Sequence, residues 1–137
     1  QTCALPISRL VKHLEDFPLD WESREQLALL YAREYQRLDL AKTQLEQLLQ
    51  FPNQPERQKV RWLNQLADFQ VNFGGSYEAA RTALERIVEL NPRASAATVA
   101  QNRIELLKLE FKGKEKSQTI TPGSYQSDMG LKGRSPD

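Results

Sequence analysis

The sequence contains few side chains of the types that catalyse reactions or bind metals. It has a single histidine, His13, and a single cysteine, Cys3, among 137 residues. A general base works with an acid or a nucleophile beside it, and we expect no such partner beside His13. We therefore interpret His13 as a surface or packing residue. Zinc sites in proteins need about four ligands, so these two residues do not predict one.

Two other residue pairs, Glu15-Asp16 and Gly74-Gly75, lack the spacing that a catalytic or phosphate-binding site requires. Glu15 and Asp16 are neighbouring carboxylates at a predicted helix end, and adjacent residues on a helix do not face each other. Gly74-Gly75 is not followed by the Lys-Ser/Thr of a phosphate-binding loop, and its position favours a helix stop. The sequence therefore predicts a non-enzymatic protein with no catalytic residue, no metal and no cofactor.

The charge and hydropathy of the chain argue against a nucleic-acid-binding protein and against a membrane-spanning one. Nineteen basic side chains face eighteen acidic ones, which leaves a net charge of +1. Such a chain has no field that would attract nucleic acid or an anionic membrane. Its longest apolar run, residues 27–32, has six residues, far short of a membrane span. We expect no nucleic-acid partner and no membrane insertion by this chain.

Residues 1–7, Gln-Thr-Cys-Ala-Leu-Pro-Ile, resemble a translated sequencing adapter. The nucleotides CAGACGTGTGCTCTTCCGATC encode these residues in frame. We expect the segment to be extraneous and exclude it from reasoning about the fold. Cys3 then says nothing about redox compartment, and the natural N-terminal part of the protein is expected to lie upstream. The alternative is a natural N-terminus of unusual sequence.

Apolar residues recur at fixed distances along the chain. Val11, Leu14, Phe17 and Pro18 are followed by similar residues 34 positions later. A stronger offset of 39 residues relates seven apolar positions on two predicted helices. The pairs are Leu27/Leu66, Ala28/Ala67, Leu30/Phe69, Ala41/Ala80, Leu45/Leu84, Leu48/Ile87 and Phe51/Leu90. This period predicts a repeated pair of helices.

Helical spacing and capping residues divide the chain into about six helices. The first is predicted over residues 8–17 and the last over 95–112, with 113–137 as a flexible C-terminal tail. Asp20, Asp39 and Ser76 are predicted N-caps, and Pro55 the first residue of the third helix. Gly74-Gly75 and Asn91-Pro92 are predicted helix ends. The inward stripe after Asp20 is predicted to be Leu27, Leu30, Tyr31, Tyr35 and Leu38.

These residues resemble the tetratricopeptide (TPR) repeat family over residues 8–112. The resemblance lies in Leu27, Ala28 and Tyr31, in Gly75-Ser-Tyr77 with Ala80, and in Leu90-Asn91-Pro92. This chain departs from the family pattern by one extra residue within each repeat and five more around 53–57. The resemblance implies an all-α fold of antiparallel helical hairpins stacked as a right-handed superhelix. It would comprise half a repeat, two full repeats and a capping helix.

The resemblance also implies a function, which is to scaffold or bind a protein or peptide partner in a groove formed by the first helix of each repeat. The groove lacks the Lys/Arg cluster that would hold a peptide carboxylate terminus. The alternative is that these positions form a solvated helix face. The candidate groove residues are Glu25, Leu29, Ala32, Arg33, Asn64, Asp68, Val71 and Asn72.

Three wider questions stay open at this point. The stretch Pro92-Arg-Ala-Ser-Ala-Ala also resembles bacterial envelope TPR proteins, which implies a bacterial protein anchored through an upstream segment. The chain could instead be an accessory docking or regulatory module of a larger enzyme or membrane protein, or a self-assembly domain. The tail carries Ile120, Tyr125, Met129 and Leu131, which fit a docking motif, a cover for the last helix or plain disorder. Partner, compartment and oligomeric state are not assigned.

Overall fold

A computed structural model describes residues 7–119 of the chain, with side chains through Lys114. Within 7–119 it contains helices and no strand. The helices are α1 (Ile7–Asp16), α2 (Trp21–Arg33), α3 (Leu38–Leu49), α4 (Glu56–Asn72), α5 (Tyr77–Leu90) and α6 (Ser95–Thr119). The predicted all-α class with six helices is confirmed.

Two predicted N-caps are confirmed. The Asp20 carboxylate accepts hydrogen bonds from the Ser23 backbone N–H at 3.3 Å and from the Ser23 hydroxyl at 2.8 Å. The Ser76 hydroxyl accepts from the Ala79 backbone N–H at 3.0 Å. The bonds from the Ser23 and Ala79 backbone N–H groups each satisfy a donor that the first turn of a helix leaves without a partner. The start of α2 and the start of α5 are therefore set by local sequence.

Three predictions at other helix ends are wrong in detail. Asp39 does not cap α3, because α3 begins one residue earlier and Arg37 holds the N-cap position. Asp39 lies in the first turn, where its carboxylate accepts bonds from the Arg37 guanidinium at 3.0 and 3.1 Å. Pro55 is the N-cap of α4 rather than its first residue. Tyr35 is exposed because α2 ends at Arg33, which leaves Tyr35 in a loop outside the inward stripe.

The last helix is longer than predicted. α6 continues through Gly113 to Thr119, so the first residues of the predicted tail are helical. A glycine inside a helix costs about 1 kcal/mol relative to alanine, which neighbouring helical residues can offset. Ile120, Tyr125, Met129 and Leu131 lie outside the described residues. At the other end, Ile7 is the first residue of α1 and packs against a small cluster of buried leucines.

Most of the core is formed by side chains of the five helices from α2 to α6. Trp62 on α4 is fully buried and is the largest buried side chain. The same core cluster contains buried side chains from every helix except α1, among them Ala28, Ala32, Ala41, Leu45, Leu48, Leu63, Leu66, Ala67, Leu84, Ile87, Ala100 and Leu107. A second, smaller cluster of Leu10, Leu14 and Leu27 attaches α1 to α2. Burial of these stripes is the main force that stabilises the fold.

From α1 to α6 each helix packs against the next one, and α4 also contacts α6. Gln70 is a buried polar residue among the described side chains, and its side-chain oxygen accepts a bond from the Ser76 backbone N–H at 3.0 Å. This bond ties the end of α4 to the start of α5. Gly74 between them has φ of +81°, a left-handed conformation that glycine adopts without steric cost.

Candidate partner-binding surface

The face predicted to bind a partner begins where α2 contacts α4. The Glu25 carboxylate accepts two bonds from the Arg61 guanidinium, at 2.7 and 2.9 Å. It accepts a third from the Trp62 indole N–H at 3.1 Å. Trp21 packs edge-on against Trp62, with ring centroids 6.1 Å apart, and the Arg61 guanidinium lies 5.8 Å from the Trp21 ring. These side-chain contacts join the N-terminal half of α2 to the N-terminal half of α4.

A second group of charges joins α4 to α6. The Arg103 guanidinium lies 2.8 Å from Asp68 on α4 and donates two bonds of 3.1 Å to Glu110 on α6. Burial disfavours the charge of Arg103, but its hydrogen bonds to Glu110 and Asp68 outweigh this effect and raise its pKa. The Arg103 guanidinium therefore holds both carboxylates, in a cluster with a net charge of −1 that joins α4 to α6.

Two rows of side chains run along the helices from the Glu25–Arg61 pair. Residues three or four apart on a helix share a face. On α2 the row continues to Leu29 and Arg33. On α4 it continues from Arg61 to Asn64, Asp68 and Asn72. We name Leu29, Arg33, Asn64, Asp68 and Asn72 the α2–α4 face.

The structure divides the eight predicted groove residues into four groups: exposed residues, half-buried residues, one residue bonded to other side chains of the chain, and residues buried in the core. Arg33, Asn72 and Leu29 are exposed, while Asn64 and Asp68 are half-buried. Glu25 is only 12% exposed and is occupied by Arg61 and Trp62.

Ala32 and Val71 do not belong to the surface. They are 0% and 5% exposed and lie in the core. A residue with no accessible area cannot contact a partner, so these two assignments are corrected. Both lie one position before an exposed member of the α2–α4 face. A shift of one residue turns a helix by about 100°, which carries a side chain from the surface into the core.

An ion pair also joins α3 to α5. The Arg86 guanidinium on α5 donates bonds of 2.8 and 3.1 Å to Glu46 on α3. A cleft of about 240 Å³ beside this pair is lined by Lys42, Glu78 and Thr82 among others. Its basic and acidic side chains balance each other, so the cleft has no strong preference for a charged ligand.

His13 has a carboxylate partner that sequence reasoning missed. Its ring nitrogen Nε2 lies 2.6 Å from Asp20 Oδ2, and its ring stacks near Phe17 at a centroid distance of 5.0 Å. The two residues are seven positions apart, across the loop between α1 and α2. The signal in the sequence was the predicted N-cap Asp20 placed shortly after a short helix that carries the histidine. An open depression of about 530 Å³ beside them is lined by Phe17, Pro18 and Leu19.

This cluster is not arranged for nucleophilic catalysis. Asp20 lies between the other two groups and accepts from both His13 and Ser23. In a catalytic triad the histidine contacts the nucleophile and the acid orients the histidine. The hydrogen bonds from His13 and from Ser23 lower the pKa of the Asp20 carboxyl. The cluster therefore joins α1 to α2 and caps α2.

Within the part of the chain that the structure describes, no group of three or more His, Cys, Asp or Glu residues is placed to hold a metal ion. Among those same residues, no helix combines the length and hydrophobicity needed to cross a bilayer.

The described helices define the class of the molecule, an all-α chain in which each helix packs against the next. No protein-family model, no curated protein and no solved structure matches this chain. Its function is therefore inferred from its contacts and its repeat pattern.

Proposed function

We propose that this chain is a non-enzymatic, TPR-like repeat module that binds a peptide or protein partner along the α2–α4 face. In this proposal α2 with α3 and α4 with α5 are antiparallel hairpins of a right-handed superhelix. α1 is the second half of an earlier repeat, and α6 closes the array. The bacterial envelope setting implied by the second resemblance stays a prediction.

The observation that carries the proposal is the regular pairing of like helices. Glu25 with Arg61 joins the first helices of the two hairpins, and Glu46 with Arg86 joins their second helices. Asp68 with Arg103 continues the first row onto α6. The partners are 36, 40 and 35 residues apart in the sequence. Contacts that repeat at nearly one period are typical of stacked repeats, in which each unit contacts its neighbours.

The chemistry of the α2–α4 face indicates how a partner would bind. Arg33 is its one basic residue, so the face lacks the paired cations that hold a peptide carboxylate terminus. Asn64 and Asn72 carry amides that can both donate and accept hydrogen bonds. Leu29 supplies exposed apolar area on α2. We therefore propose that the partner lies across the face through the middle of its chain, with amide contacts and one apolar anchor.

The test is a selection of peptides from a random displayed library on the immobilised chain, followed by affinity measurement with fluorescence anisotropy. The expected result is that Arg33→Glu weakens the selected peptides at least tenfold. Lys42→Glu is the matched control, because Lys42 is also an exposed cation but lies on α3. This control is expected to bind as the original chain does.

Backbone NMR with a selected peptide gives a second readout. The expected shifts on titration are confined to amides of Leu29, Arg33, Asn64, Asp68 and Asn72 and their neighbours. Peptides that bind both charge-reversal variants equally, or that shift amides of α3 and α5 instead, would contradict the proposed surface.

A further inference from the structure

The helix α6 carries two apolar stripes on opposite faces. One stripe contains Ala97, Ala100 and Leu107, which are buried against α4 and α5. The other contains Val99, Leu106 and Leu109, which are 63%, 56% and 65% exposed. Exposed apolar side chains that line up on one face indicate an interaction site more strongly than scattered ones do.

The exposed stripe has the spacing of a helix–helix seam. Val99, Asn102, Leu106, Leu109 and Gly113 follow one another at intervals of three, four, three and four residues. This alternation is the pattern by which two helices pack along their length. A Cβ at Gly113 would meet nothing within 4 Å, so the surface is open there. α6 spans 25 residues, which corresponds to about 37 Å of helix.

The charges beside the stripe are self-complementary when two copies of α6 run in opposite directions. Glu105 and Lys112 flank one edge and are exposed. If Leu106 of one copy packs against Leu109 of the other, Glu105 of each lies close to Lys112 of the other. A parallel pair would instead bring Glu105 close to Glu110 of the second copy. Opposite charges across a seam stabilise a pairing, and like charges disfavour it.

The other edge of the stripe does not oppose this arrangement. Arg103 and Glu110 lie there, and the Arg103 guanidinium pairs with Glu110 and with Asp68 within one chain. These ion pairs are present whether or not a second copy is bound. The direction is therefore set by Glu105, which lies close to Lys112 of the other copy in the antiparallel pair and close to Glu110 of the other copy in the parallel pair.

We propose that the exposed stripe of α6 binds the same stripe of a second copy of this chain, antiparallel and with two-fold symmetry. The contact is isologous, so each residue and its partner occur twice. Three apolar side chains from each copy bury less area than a standard interface. The dimer is therefore weak, with a dissociation constant on the order of 100 μM. This inference is independent of the proposed partner-binding face.

The test is sedimentation equilibrium on the full chain from about 5 to about 500 μM, a range that spans the expected dissociation constant. The expected result is a mass that rises from one copy towards two. Leu106→Glu is expected to remain monomeric throughout. Thr82→Glu is the matched control, because Thr82 is exposed on α5 and its replacement leaves the stripe intact. Circular dichroism checks that both variants retain the helical fold.

Charge exchange tests the direction of pairing. Glu105→Lys alone and Lys112→Glu alone each place like charges across the seam, so each is expected to weaken the dimer roughly fivefold or more. The double exchange restores opposite charges and is expected to recover the original affinity. Failure of the double variant to recover overturns the antiparallel arrangement. Association that survives Leu106→Glu overturns the site.

A wild-type chain that stays monomeric at every concentration also overturns the proposal. If removal of residues 120–137 then produces a dimer, the segment that follows α6 is the occupant of the stripe instead. If the shortened chain is monomeric too, the stripe has no affinity for itself.

Discussion

Replacement of each of the two neighbouring glycines between α4 and α5 by alanine tests the packing of this turn. Gly75 lies against Gln70: a Cβ added at Gly75 would be 2.7 Å from the Gln70 Cα and would enter the volume of its side chain. That side chain is buried and accepts the bond from Ser76. Gly74 has φ of +81°, but a Cβ there would meet nothing within 4 Å. The two glycines are therefore needed for different reasons.

The expected costs differ because the constraints differ. Gly75→Ala overpacks a buried contact, at about 1–3 kcal/mol. It also displaces the acceptor of a buried hydrogen bond, at about 1 kcal/mol or more, so we expect about 2–4 kcal/mol in total. Gly74→Ala forces alanine into a left-handed conformation at about 1–2 kcal/mol. Loss of freedom in the unfolded chain offsets about 0.4–1 kcal/mol of that cost.

Urea unfolding followed by circular dichroism measures both free energies. With a slope of about 2 kcal/mol per molar urea, Gly75→Ala should lower the midpoint by about 1–2 M and Gly74→Ala by about 0.5 M. Both variants should keep the slope of the original chain. Equal midpoints for the two variants, or a larger shift for Gly74→Ala, would refute the packing of Gly75 on Gln70.

Two further predictions concern the core and the first connection. Leu84→Asp places a carboxylate at a fully buried position and should cost more than about 4 kcal/mol, so cooperative melting is lost. Thr82→Asp is the control, because Thr82 is on the exposed side of α5, and its free energy of unfolding should stay within about 0.5 kcal/mol of that of the original chain. A cooperative melting transition in Leu84→Asp would contradict the burial of Leu84 in the core. Asp20→Ala removes the cap of α2 and the contact with His13, at about 1 kcal/mol by urea unfolding. An unchanged midpoint would show that the cap adds nothing.

The lowered pKa of Asp20 adds a pH dependence to the last prediction. The carboxylate is stabilised in the folded state by bonds from His13 and Ser23, so its contribution is present above the unfolded pKa of about 3.9. That contribution is lost as pH falls through the lower pKa of the folded state. We expect the free energy of unfolding to fall less steeply in Asp20→Ala than in the original chain below about pH 4. If the free energy of unfolding depended on pH in the same way in both chains, the lowered pKa of Asp20 would be contradicted.

The starts of α2 and α5 were predicted correctly from the sequence, because in each case one residue supplies the capping group. Asp20 and Ser76 were predicted as caps because each accepts bonds from the turn that follows it. Asp39 was predicted by the same rule and was wrong, because Arg37 holds its carboxylate instead. The local sequence does not show whether a carboxylate such as that of Asp39 will accept a bond from a backbone N–H or from a nearby guanidinium. Gly113 was read as a helix end, but α6 continues past it.

The α2–α4 face was predicted in part. Leu29, Arg33 and Asn72 are exposed as a groove requires, whereas Ala32 and Val71 are in the core. The groove positions were predicted from the spacing of the TPR pattern, and the sequence departs from that pattern by one extra residue within each predicted repeat. A shift of one residue along a helix is enough to move a predicted surface position into the core.

By itself, the sequence determined the all-α class, the six helices and most of the buried stripes, because helical periodicity and capping are local properties. Only the tertiary structure decided which charged side chains meet across helices. Glu25 with Arg61 and Asp68 with Arg103 are 36 and 35 residues apart, and no local rule pairs them. The second apolar stripe of α6 likewise emerged only when packing showed which of its two faces the core uses. Contacts between distant residues depend on how helices stack, and stacking is a property of the whole chain.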